Sequence, residues 1–117
     1  MNIEELRDFR LSLKGVVESM PFDDKTLVFS IKGKMFYATD ITTFELVNVK
    51  CEPEKAIQLR EQYTEVIPGY YMNKKYWNSI KTNGKIKKEQ FKEWIRDSYD
   101  LVVAGLPKKI QKELNEE

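Results

Sequence analysis

The chain has no histidine and a single cysteine, and these scarcities exclude more chemistry than any motif present supplies. Without imidazole it lacks the usual general base near neutral pH and the commonest ligand for a transition metal. With Cys51 as the only thiol, a structural zinc site is excluded, and neither a Cys-His nor a Ser-His catalytic arrangement can be built. No intrachain disulfide is possible, which fits a reducing compartment. Long apolar runs are missing as well, since none approaches the roughly 18 residues of a membrane helix. The N-terminal MNIEELRDFR is acidic and amphipathic, unlike a secretory signal or a transit peptide. The expectation is a cytoplasmic protein with no membrane contact, no metal, no cofactor and no enzymatic activity.

What is present suffices for one ordinary domain over residues 1–117. A composition of 41% hydrophobic and 33% charged residues describes a globular chain that builds its core without covalent staples. Its charge is unevenly spread. Residues 68–92, PGYYMNKKYWNSIKTNGKIKKEQFK, hold seven lysines against Glu89 alone, a net +6 in a chain whose total is +1.

Hydrophobic spacing lays out the scaffold. Ile3, Leu6 and Leu13 share a helical face over residues 2–13, with Asn2 to cap the first turn and Gly15 at the exit. The acidic group Glu4, Glu5 and Asp8 reads as the solvated face of that helix. The period then changes to two. Leu27, Phe29 and Ile31 mark one strand, Gly33 supplies the positive φ of a hairpin, residues 35–39 return, and residues 44–50 form a third strand. Residues 18–22 add a short edge piece, and Asp23-Asp24 is a turn pair with no further role. Pro53 opens a second helix that runs to residue 62.

Residues 70–72 and 77–81 are two short extended segments around Asn73-Lys74-Lys75, and Thr82-Asn83-Gly84 is a turn. The clearest element spans residues 88–106, where Phe91, Trp94, Ile95, Ser98, Val102 and Leu106 repeat with a helical period. Gly105 and Pro107 stop it, and residues 108–115 form a short helix that frays at its acidic end. The order α-β(3)-α-β(2)-α plus a short C-terminal helix predicts an α+β two-layer sandwich, an antiparallel sheet with helices on one face.

The runs MNKKYWNSIKTNGKI (72–86) and WIRDSYDLVVAGLPKK (94–109) resemble the MmcQ/YjbR family of small bacterial proteins. PFDDKTLVFSIKGKMFYAT (21–39) and LVNVKCEPEKAIQLREQY (46–63) fit the same pattern, so the resemblance spans nearly the whole chain. One departure is Tyr76, where the family often carries histidine, so no imidazole-dependent role carries over. The resemblance implies a fold likened to frataxin-type and secretion-chaperone-type domains, and a family label of DNA binding that rests on fold.

The lysine-rich stretch is the first candidate site. Clustered ammonium groups gain free energy at a duplex by releasing counterions. Lysine contacts phosphate as a flexible point charge but lacks the planar fork that reads guanine, and no arginine lies between Arg60 and Arg96. Lys74, Lys75, Lys81, Lys85, Lys87 and Lys88 would contact phosphates, with Asn73, Tyr76 and Trp77 as secondary contacts. Asn73, Asn78 and Asn83 have the reach for adenine edges, and Tyr76 or Trp77 for stacking on an unpaired base. The plainer reading makes the lysines the solubilising rim of an edge strand and puts Trp77 in the core.

Ser98-Tyr99-Asp100 has no base to activate its serine and reads as an anchor, tying its helix to residues 73–77 through buried hydrogen bonds. Cys51 reads as an ordinary, partly buried thiol. The leading expectation is a monomeric, non-enzymatic binding module with DNA as ligand. The alternative is a protein-interaction or chaperone-like module that uses an exposed sheet face or edge, marked by an apolar or Tyr-rich patch away from the lysines, with Tyr37, Tyr63, Tyr70 and Tyr71 as aromatic mass.

Overall fold

The computed structural model describes residues 2–70 and 72–117. Helix α1 (Ile3–Phe9) is capped by Asn2, whose side-chain oxygen accepts from the Glu5 N–H at 2.9 Å, and it runs into a 3-10 turn at Arg10–Ser12. Four strands follow: β1 (Val16–Ser19), β2 (Thr26–Ile31), β3 (Lys34–Asp40) and β4 (Leu46–Lys50). Then come α2 (Pro53–Gln62), β5 (Val66–Pro68), β6 (Trp77–Lys81), α3 (Lys88–Ala104) and α4 (Lys108–Asn115). Among the described residues the strands form one sheet in the order β1-β2-β3-β4-β6-β5, with every neighbouring pair antiparallel. This is the α+β sandwich that the residue pattern implies.

Three details differ from that pattern. The edge piece expected at residues 18–22 is a full strand placed earlier, at Val16–Ser19, and it ends before Pro21, which has no N–H to give the ladder. The segment expected at residues 70–72 is instead β5 at Val66–Pro68, because the apolar Val66 pairs with Ile80 and is buried there. Tyr71 lies outside the described residues. The last helix is docked at its end: Leu114 is buried in the core, and Glu117 meets Lys32 at 3.2 Å.

Cross-strand partners share a face. Leu27, Phe29, Tyr37, Val47, Val49 and Ile80 therefore line one side, where they meet Phe91, Trp94, Ile95, Tyr99 and Val102 of α3. Leu6 of α1, Leu59 of α2 and Leu114 of α4 pack against the same cluster. A bulge deepens it. Phe29 pairs with Tyr37 while Ser30 pairs with Met35, which leaves Phe36 as an extra residue. Strict alternation would send either Phe36 or Tyr37 to the far face; the bulge turns both inward. Tyr37 then stacks on Phe29 at 4.2 Å, and Phe36 meets Tyr99 edge-on at 5.4 Å.

Charge fastens α1 to the sheet edge. Glu18 of β1 accepts from Arg7 Nε at 2.7 Å and faces Arg10 Nε at 3.0 Å. The Arg7 hydrogen bond, helped by the Arg10 charge, holds the Glu18 carboxyl below its ordinary range, and Lys88 does the same for Glu5. The folded chain thus binds fewer protons in acid than the unfolded chain. Stability is complete above the unfolded glutamate value of about 4.3 and drains as pH falls below it. Melting temperature measured between pH 7 and pH 3 should fall mainly below about pH 4.5, and Glu18→Gln should flatten that fall. An unchanged slope in the variant would remove Glu18 from this role.

Candidate functional site

The lysine-rich stretch does not gather its charge at one point. Lys74 and Lys75 precede β6, whereas Lys81 ends it and Lys85 and Lys87 follow, so the two groups are separated by a strand of about 13 Å. Lys88 is paired with Glu5 of α1 at 2.8 Å, and the Lys74 ammonium donates to the Gly69 carbonyl at 3.2 Å. Lys75 lies over the Tyr76 ring at 5.5 Å. Lys75, Lys81, Lys85 and Lys87 are exposed, and none forms an ion pair with another described residue.

The other expected contacts serve the fold. Asn73 accepts from the Lys75 N–H at 2.9 Å, and its carbonyl receives the Tyr76 and Trp77 N–H groups, so it shapes the turn. Trp77 is only 7% exposed, and Tyr76 is half-exposed. Asn78 is fully buried: its amide oxygen accepts from Arg60 Nε at 2.7 Å and its nitrogen donates to the Ala56 carbonyl at 3.3 Å, which corrects the adenine-reading role. Arg60 also reaches the carbonyls of Lys74 and Trp77, which makes this α2 arginine the pin that fixes the segment. Ser98 anchors its helix as expected but to different partners. Its hydroxyl donates to Phe36 O at 2.7 Å and accepts from Lys50 N at 2.8 Å, joining α3 to β3 and β4 and not to residues 73–77. Tyr99 donates to Lys14 O at 2.6 Å.

The side of the sheet away from the helices is the more organised feature. Its central row, Val28, Ala38, Asn48, Ser79 and Ile67, runs across five strands with small or short side chains. Phe22 and Asp23, from the connection between β1 and β2, and Tyr70 and Met72, from the connection between β5 and β6, line one cavity with Ala38 and Asn48 of this row. It is a groove of about 690 Å³ whose walls include Phe22, Met35, Leu46, Tyr70 and Met72. Phe22 is 66% exposed and Tyr70 51% exposed, so aromatic surface lines its entrance. Asn48 of the floor is wired to the buried Ser79 beside it: the Tyr70 N–H donates to Ser79 Oγ at 2.8 Å, Ser79 donates to Asn48 Oδ1, and Asn48 Nδ2 donates to Ala38 O at 3.1 Å.

The rim charge is acidic. Asp23, Asp40 and Glu45 all line the groove, with no lysine or arginine among its lining residues. Backbone N–H groups of Lys25 and Thr26 hold the Asp23 carboxyl below its ordinary range, and Thr42 does the same for Asp40, first through its hydroxyl and then through its N–H. Among the described residues these carboxylates do not come close enough to hold a metal ion. Nor is any helix among those residues long and apolar enough to cross a membrane.

The model of the YjbR family matches residues 11–101. The chain belongs to the YjbR family. It is 34% identical over 110 residues to YbdF of Escherichia coli O157:H7, an uncharacterized protein, covering 93% of this chain and 90% of that one. It is 27% identical over 113 residues to YjbR of Escherichia coli strain K12, likewise uncharacterized, covering 96% of each. The crystal structure of Deinococcus radiodurans protein DR2400, which carries the domain DUF419, superposes with a TM-score of 0.91 at 36% identity, over 97% of this chain and 88% of that one. A Pseudomonas syringae protein at 22% identity shares the fold, with a TM-score of 0.73 over 86% of this chain and 98% of that one. Family membership carries the YjbR fold and leaves the ligand to the residues themselves.

The groove was missed by a reading that followed apolar periodicity, because its floor is made of small and polar residues. A sequence signal does exist. Val28, Ala38, Asn48 and Ser79 occupy the off-phase positions of four strands, and none is a lysine or glutamate, as a fully solvated face would carry.

Proposed function

We propose that this YjbR-family chain is a non-enzymatic binding module that holds a peptide segment of another protein in the groove on the side of its sheet away from the helices. The observation that carries this reading is the groove, apolar and aromatic in its walls and acidic at its rim. A volume of 690 Å³ falls within the usual range of ligand clefts. Its charge selects apolar side chains flanked by lysine or arginine and repels phosphate.

Peptide display against the immobilised protein tests it. Recovered sequences should combine apolar residues with a neighbouring lysine or arginine. Phe22→Ala should weaken the selected peptide about ten-fold, as for an aromatic anchor. Glu45→Lys should weaken it about three-fold through charge. Peptides without a consensus, or binding indifferent to Phe22 and Glu45, would overturn the proposal.

A second reading, nucleic-acid binding, is favoured by one observation: Lys75, Lys81, Lys85 and Lys87 are in no ion pair among the described residues, although the Glu65 carboxylate lies near Lys85. Four phosphate contacts predict a log–log salt slope near −3.6, about −0.9 for each phosphate on duplex DNA. Titration of a labelled duplex at two salt concentrations reads this slope. Absence of binding at low salt, or binding unchanged by Lys75→Glu and Lys81→Glu together, would end the nucleic-acid reading.

A further inference from the structure

On the helix side of the sheet, a separate pocket of about 330 Å³ opens between α2 and α3. Its walls are Leu59, Val66, Ile80, Trp94 and Leu101. The Trp94 ring is held edge-on by Tyr63 at 5.2 Å, which makes it a fixed wall. The one polar side chain at the base, Asn78, is already engaged by Arg60 and the Ala56 carbonyl, so it offers a ligand nothing. Whatever enters must therefore be apolar at its buried end.

The mouth has a different chemistry. Lys55 meets Asp97 at 3.3 Å, so its ammonium is already engaged. Glu52 is occupied as the cap of α2. Asp100 is exposed, lines the pocket, and is in no ion pair among the described residues. Lys50, the other lysine of the lining, alternates along β4 with the inward Val49 and so belongs to the far face of the sheet. An anionic head would therefore have to displace Asp97 from Lys55, whereas a cationic head finds Asp100 waiting.

We propose that this pocket is a binding site for a small cationic amphiphile, an amine or ammonium compound whose apolar body enters tail-first while its head meets Asp100. A 150 Å³ apolar cavity accepts benzene, so this volume suits a body of about eight to twelve carbon atoms. The site is independent of the groove on the opposite face and stands whether or not that groove binds peptide.

Cys51 supplies the reporter. It is the only thiol of the chain, half-buried, and it lines the pocket, so an occupant shields it. The rate at which methyl methanethiosulfonate modifies Cys51 is measured on the intact protein with butyl-, hexyl- and octylammonium, octanol and octanoate, at concentrations that leave the far-UV circular dichroism unchanged. Protection by the ammonium series should strengthen about four-fold per methylene until the pocket is full. Octylammonium should exceed octanol about three-fold, the worth of an exposed charge pair, and octanoate should protect least. Asp100→Asn, an exposed change that leaves the fold intact, should bring octylammonium level with octanol. Leu59→Trp should fill the pocket and abolish protection by all of them. Equal protection by octanoate, protection unchanged in Asp100→Asn, or no protection by any member of the series would overturn the proposal.

Discussion

Gly15→Val should lower the melting temperature by about 10 to 20 °C, the equivalent of about 3 to 4 kcal/mol for a domain of this size. Two separate penalties meet at this position. The backbone has φ +76, a conformation that costs a side-chain-bearing residue about 1 to 3 kcal/mol and suits a β-branched one least. A Cβ built there would also lie 2.7 Å from Leu114 Cδ1 and 2.8 Å from Ile31 Cδ1, and overpacking of that kind costs about 1 to 3 kcal/mol. The place matters because several elements converge on it. Tyr99 of α3 bonds the Lys14 carbonyl, and Leu114 of α4 and Ile31 of β2 press on Gly15.

The two penalties can be separated experimentally. Leu114→Ala removes one of the two clashing atoms and leaves the φ penalty and the Ile31 contact, so the double variant should be less destabilised than the two single changes predict together. Thermal unfolding of the four proteins in the cycle reads both terms. A Gly15→Val protein that melts within about 3 °C of the parent would show that neither the backbone strain at Gly15 nor its contact with Leu114 and Ile31 is as described.

Why some of this was legible from residues alone, and some was not, follows from the range over which each determinant acts. The α3 stripe from Phe91 to Val102, the hairpin at Gly33 with its φ of +81, and Pro53 at the start of α2 are set by neighbours within one turn, and all stand as the pattern implies. Asp23 likewise makes a turn, accepting from Lys25 and Thr26 N–H groups. The inward turn of both Phe36 and Tyr37 depends on a bulge against Phe29, which no local pattern announces.

The lysine-rich stretch illustrates the same limit. Composition counts charge along the chain, but Lys88 is neutralised by a glutamate from the opposite end of the sequence, and the carbonyls of Lys74 and Trp77 are held by Arg60 from another element. The groove escaped for a related reason. Its floor joins residues from different strands, and only the register reveals that Ala38 and Asn48 are neighbours.

Two buried hydroxyls at the centre of the sandwich give opposite expectations. Ser98 is fully buried and uses its hydroxyl twice, donating to Phe36 O and accepting from Lys50 N, so a single side chain satisfies one backbone group on each of two strands. Ser98→Ala strips both at once. Leaving a buried polar group without its partner costs about 1 to 3 kcal/mol, so the loss should reach about 3 kcal/mol and lower the melting temperature by about 10 °C or more. Tyr37 is equally buried, yet its hydroxyl has no hydrogen-bond partner among the described residues, and burial pushes its ionisation above the ordinary phenol range. Tyr37→Phe therefore removes a desolvated group that gives nothing back, and stability should hold or rise by up to about 1 kcal/mol. Differential scanning calorimetry on the two variants decides between partnership and mere burial as the source of stability. If Tyr37→Phe proves as damaging as Ser98→Ala, the phenol has a partner, and the polar accounting of the core has to be redrawn around it.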